Sequence, residues 1–126
     1  MSSQFIAHVR KNGDKQSLDD HLIEVGELSG ILSSKLAVSE VGILIGLLHD
    51  FGKYSNDFQN YIGSATGLIN PDEDEFVDFS GLKGKIDHST AGAQLIWQRC
   101  QKWGKSGLLT GQIMSLCIAS HHSGLI

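Results

Sequence analysis

Only one proline, Pro71, and two cysteines, Cys100 and Cys117, occur in 126 residues. The cysteines lie in apolar surroundings without CxxC spacing, which disfavours a disulfide scaffold and a thiolate zinc site and suits a reducing interior. Basic charge is also scarce: ten Lys plus Arg against 14 Asp plus Glu leave a formal charge of -4. That argues against a generic electrostatic nucleic-acid binder, although bound cations would reverse the local field. The longest apolar stretch, around Val41 to Leu48, is far short of a bilayer span, and MSSQFIAHVRKNGDK has no signal-peptide core. A cytoplasmic protein with no membrane partner is expected. Also missing are a Ser-His-Asp order, a dinucleotide fingerprint and a phosphate loop: GSATG at 63–67 lacks the Lys-Ser/Thr ending.

What is present is an ordinary globular composition, 40% hydrophobic and 19% charged, at the length of one domain. SQFIAHVRKNG reads as a short strand or extended lead-in, with Asn12-Gly13 as a turn. Apolar residues at three and four spacing then predict a helix over 19–36, capped by Asp19 or Asp20, in which Gly26 and Gly30 permit close packing. Ser39 is the expected cap of a second helix through VGILIGLLHDFGK, apolar on nearly every side and so expected to be central, with Gly52 as its stop. A short helix over 55–62, one opened by Asp87 or Ser89, and a last one over 108–122 complete an all-α reading. Between them, 63–87 reads as a long glycine-rich insertion holding the acidic run Asp72 to Glu75. Leu22, Leu32, Leu44, Leu47, Leu48, Ile96, Leu116 and Ile118 are the expected core.

Six histidines are the anomaly. His49-Asp50 closes the second helix, His21 and His88 follow aspartates near helix starts, and His121-His122 stand at the end of the last helix. An isolated HD pair also describes a helix-terminal histidine beside a capping aspartate. Five histidines with Asp50, converging from four helices, offer more: imidazole nitrogens and a hard carboxylate oxygen are the mixed donors that hold divalent ions, which activate water and draw charge from a phosphate.

The strings DDHLIEVGELSG, GLLHDFGKYSNDFQNYI, KIDHSTAGAQLI and ASHHSG together resemble the HD nuclease domain of CRISPR-associated type I helicase-nucleases, over His21 to Gly124. The resemblance implies an all-α, HD-domain-like helical bundle and metal-dependent hydrolysis of single-stranded DNA. Its implied partners are a helicase, fused or separate, and a guide-RNA surveillance complex. His21 corresponds to the first metal ligand and His49 with Asp50 to the signature pair. His88, His121 and His122 correspond to ligands of a second metal or to phosphate contacts. Lys53 matches the signature lysine, a cation for a phosphate oxygen or leaving group. The cofactor would be one or two divalent ions, of manganese, cobalt, nickel, iron or zinc, with magnesium a further option. The family carries another ligating aspartate downstream of the double histidine, so residues 1–126 read as the front part of a longer domain. Two other readings stay open: an HD phosphohydrolase acting on nucleotides, and a truncated, weakly active HD module with an interaction or structural role.

Overall fold

The computed structural model describes residues 5–64 and 87–122. Contacts divide the chain into two units, Met1–His21 with Lys53–His88 and Leu22–Gly52 with Ser89–Ile126. The class is all-α, as expected; a single two-stranded hairpin is the one sheet among the described residues. The insertion expected over 63–87 lies, from 65 to 86, outside them. Among the described residues no helix is long and apolar enough to cross a membrane.

In the first unit, strands β1 (Ile6–Val9) and β2 (Lys15–Ser17) pair antiparallel. The turn expected at Asn12-Gly13 joins them. Gly13 has φ +89°, a left-handed conformation that costs glycine little, and the Asp14 backbone N–H donates to Asn12 Oδ1 at 3.0 Å. Ile6 pairs with Ser17 and His8 with Gln16, so Ala7 is one residue too many and forms a β-bulge. In a regular strand Ile6 and Val9 would face opposite sides. The bulge lets both pack on one cluster with Phe58, Tyr61 and Ile62.

Helix α1 (Leu18–Ser34) follows β2 directly. Its cap is Ser17, whose Oγ accepts the Asp20 N–H at 3.1 Å, and not Asp19 or Asp20. Those aspartates already lie in the first turn, where their charge complements the helix dipole. Helix α2 (Ser39–Leu48) likewise begins one residue earlier than expected for a Ser39 cap: Val38 holds the cap position, and no side chain bonds there. Gly52 does not stop the chain from coiling, since a 3-10 turn, Phe51–Tyr54, runs through it. Helix α3 (Asn56–Ser64) then brings Phe58, Tyr61 and Ile62 to the cluster, with Ser55 Oγ accepting the Phe58 N–H at 3.2 Å as its cap.

In the second unit, α2 meets the later part of α1 through glycine. A Cβ on Gly46 would stand 2.6 Å from the Gly26 Cα and 2.7 Å from the Val25 carbonyl oxygen, so the two backbones touch there. This contact uses the glycine faces and leaves part of each apolar stripe outside. Leu22, Leu48, Ile96 and Ile118 are buried as expected, whereas Leu32, Leu44 and Leu116 are exposed and Leu47 is half-buried. The idea of a wholly central α2 is corrected with them, because its Ile43 is exposed as well.

Helices α4 (Thr90–Cys100) and α5 (Gly104–Ala119) complete this unit. Its core joins Leu48 to Ala93, Ile96, Cys100, Met114 and Ile118. Gly92 lies against the Leu48 carbonyl, with no room for a Cβ. The last helix was expected from about Leu108 to His122, but Gly104, at φ +69°, reverses the chain right after the 3-10 turn Gln101–Trp103 and lets the helix start at once. It ends at Ala119, capped at Ser120, so His121 and His122 stand beyond it.

Candidate metal centre

Two helix ends build the centre of the second unit by the same device. The last carbonyls of an α-helix have no partner within it. At the end of α2, His49 turns its Nδ1 to the Gly46 carbonyl oxygen at 2.6 Å; at the end of α5, His121 turns its Nδ1 to the Ile118 carbonyl oxygen at 2.6 Å. A carbonyl only accepts, so Nδ1 carries the hydrogen on both rings, and in the neutral tautomer Nε2 presents a lone pair.

Both lone pairs face the same carboxylate. Asp50 is 2% exposed; His121 Nε2 lies 3.1 Å from its Oδ1 and His49 Nε2 lies 3.3 Å from its Oδ2. His122 Nε2 is 3.9 Å from Oδ1. The rings also crowd one another, with centroids 5.1 Å apart for His49 and His121 and 4.0 Å for His121 and His122. A lone pair pointed at a carboxylate oxygen is repulsive unless a proton or a metal cation stands between. Protonating neighbouring rings would set like charges side by side, whereas a cation between a ring and the carboxylate satisfies both.

The spacing fits a metal. Ligand atoms about 2.1 Å from one ion, in tetrahedral or octahedral array, stand about 3.0 to 3.4 Å apart, which brackets the two shortest Asp50–histidine distances. Asp50, His121 and His122 each offer a donor atom within 4.8 Å of the others. The donor set of imidazole and carboxylate suits a divalent ion, and backbone carbonyls on the far side of the rings are the customary outer support.

In the first unit, His21 lies in the first turn of α1 and meets His8 of β1, ring centroids 4.5 Å apart at 82°. His88 packs on Phe58, centroids 5.1 Å apart. Lys53 is completely buried, its Nζ 3.3 Å from the Ala7 carbonyl oxygen and 5.3 Å from the centre of the Phe58 ring; it is not a solvent-facing lysine. Tyr54, beside it, donates to Asp19 Oδ1 at 2.5 Å. Burial first, then that hydrogen bond and the Asp19 charge, push its phenol up to about 12. The sequence reading passed over His8. It is the one remaining histidine, and its strand was foreseen, but the bulge that aims it was not.

A buried aspartate flanked by imidazoles at helix ends, in an all-α protein, defines a metal-dependent hydrolase of the HD class. The family model for the HD domain of Cas3 matches residues 9–125. The chain belongs to that family, the CRISPR-associated HD nuclease domains. A search of curated proteins returns no match.

Proposed function

We propose that this domain hydrolyses phosphodiester bonds of single-stranded DNA during CRISPR interference, in the cytoplasm, together with a helicase, fused or separate, and a guide-RNA surveillance complex. The observation that carries the metal-dependent part is the pair of rings, His49 and His121, locked by backbone carbonyls with Nε2 turned to the Asp50 carboxylate. Family membership supports the choice of DNA and of partners. The formal charge of -4 fits a site where bound cations, more than lysines, meet the phosphates.

The proposed ligands are His21, His49, Asp50, His88, His121 and His122, with His21 and His88 assigned on the family's motif order. A bound divalent ion supplies Lewis-acid polarisation of a phosphoryl oxygen and acidifies water. Asp50 holds the central position because its two oxygens face different rings. The Gly46 and Ile118 carbonyls keep His49 and His121 from rotating away, so the donors are in place before substrate arrives. Lys53 is proposed as the cation that steadies the phosphate.

The test is a cleavage assay on single-stranded DNA, duplex DNA and mononucleotides, with manganese, cobalt, nickel, zinc or magnesium added to chelator-treated protein. Ion-dependent cleavage of single strands, lost in Asp50→Ala, is expected. Hydrolysis confined to mononucleotides would move the domain to the nucleotide phosphohydrolases.

A further inference from the structure

His8 lies outside the ligand set assigned above, yet the first unit is shaped to deliver it. The bulge at Ala7 breaks the alternation of β1: Ile6 and Val9 both go to the apolar cluster, and His8 pairs with Gln16. Two polar side chains hold that irregularity. The Ala7 carbonyl accepts from the Lys53 ammonium at 3.3 Å. The Gln59 amide clasps Ile6 on both sides, accepting its N–H at 3.0 Å and donating to its carbonyl at 2.9 Å, while donating to the Lys53 carbonyl at 2.8 Å. Bulges of this kind re-aim a side chain and concentrate beside functional sites.

The re-aimed side chain meets a second imidazole. Because α1 follows β2 without a linker and is capped by Ser17, its first turn brings His21 to the hairpin. The His8 and His21 rings are nearly perpendicular at 4.5 Å between centroids, each ring is half-buried, and each offers a nitrogen within 4.8 Å of the other. Two nitrogens of one ion stand about 3.0 to 3.4 Å apart, within that reach.

We propose that His8 and His21 form a bis-imidazole site for a divalent transition-metal ion, with His8 a ligand in its own right. Imidazole pairs select borderline ions such as zinc, cobalt and nickel over magnesium and calcium, which demand oxygen. The proposal rests on the metal-dependent reading above only in giving His21 a ligand role.

The experiment uses the full chain with 15N-labelled histidine, chelator-treated, and follows each imidazole nitrogen by NMR during titration with zinc chloride and, separately, magnesium chloride. Zinc is expected to shift one ring nitrogen of His8 and one of His21 together, with the same apparent affinity, and magnesium to shift neither. His8→Gln and His8→Ala should each weaken the zinc response of His21 by about tenfold or more. If either variant fails to fold by circular dichroism, the wild-type titration decides alone. Shifts at His121 and His122 with His8 and His21 unmoved would overturn this proposal and leave the reaction reading standing. Shifts at His8 and His21 with His121 and His122 unmoved would uphold it and count against that reading. A response of His21 without His8 would also overturn it, since His8 would then only pack against its neighbour.

Discussion

Asp50 Oδ1 lies 3.1 Å from His121 Nε2, on a ring whose Nδ1 is committed to the Ile118 carbonyl at 2.6 Å. Acceptor therefore faces acceptor when the ring is neutral and no ion is bound, and the same holds at His49. A proton or a cation between ring and carboxylate turns each of these contacts into an attraction.

Asp50→Asn separates these contributions. The amide places an N–H where a carboxylate oxygen faced a lone pair, so at about pH 8 and in chelator the variant should be at least as stable as the wild type. It should also lose the rise in melting temperature that zinc or manganese gives the wild type, because binding to the folded state alone is what raises it. Thermal unfolding with and without ion checks both. A chelated variant less stable than wild type by more than about 1 kcal/mol would show that Asp50 is held by ordinary hydrogen bonds.

Lys53→Met tests the buried ammonium. Methionine keeps most of the packing on Phe58 and removes the charge. If Lys53 acts on the phosphate, ion stoichiometry should stay at the wild-type value while single-turnover cleavage falls by about a hundredfold or more, the usual size of a lost transition-state contact. Unchanged cleavage together with a lowered unfolding midpoint would make Lys53 a strut for the Ala7 bulge.

The all-α class, the helix ending at His49-Asp50 and the Asn12-Gly13 turn were legible because each rests on local pattern: apolar spacing of three and four, or a dipeptide suited to a left-handed residue. What escaped depends on which faces meet. Gly26 and Gly46 carry the α1–α2 contact, so the apolar period gave the right helices with Leu32 and Leu44 on the wrong side. Ser17 out-competes Asp19 and Asp20 as a cap through one residue of register. At the centre, donor chemistry pointed to His49, Asp50, His121 and His122, which the second unit brings within 3.9 Å of Asp50. The locking of the His121 ring by Ile118 is not legible in the sequence, because it depends on α5 ending at Ala119, three residues before His122.

Gly46→Ala should be among the more damaging small substitutions. Its Cβ would fall 2.6 Å from the Gly26 Cα, with backbone on the other side of the contact, and backbone cannot rotate aside. Separating the two helices to admit it should cost about 1 to 3 kcal/mol, as overpacking does, against the gain of about 1 kcal/mol that alanine brings to a free helix. Because the Gly46 carbonyl holds His49, ion affinity should fall as well. Urea denaturation and zinc titration of this variant check the pair of effects; stability equal to wild type would mean that the helices do not touch there.

The Asp19–Tyr54 hydrogen bond ties the first turn of α1, two residues before His21, to the 3-10 turn that carries Lys53. Tyr54 titrates at about 12 against an ordinary value of 10.0, through burial first and then the hydrogen bond and charge of Asp19. A phenol whose pKa is raised on folding favours the folded state while it stays protonated. Its contribution is therefore complete below about pH 10, declines as the unfolded chain ionises, and is gone once pH passes about 12. Tyr54→Phe removes the donor and should cost about 1 kcal/mol at neutral pH, the worth of one hydrogen bond. The gap between wild type and variant should then close between about pH 10 and pH 12, since only the wild type has that contribution to lose. Urea denaturation of both proteins at steps across this range measures the gap. A gap that stays constant to the alkaline end would show that the phenolic proton does not tie Tyr54 to Asp19, because the ring's edge contact with Phe5, at 5.1 Å between centroids, is present in both proteins and cancels.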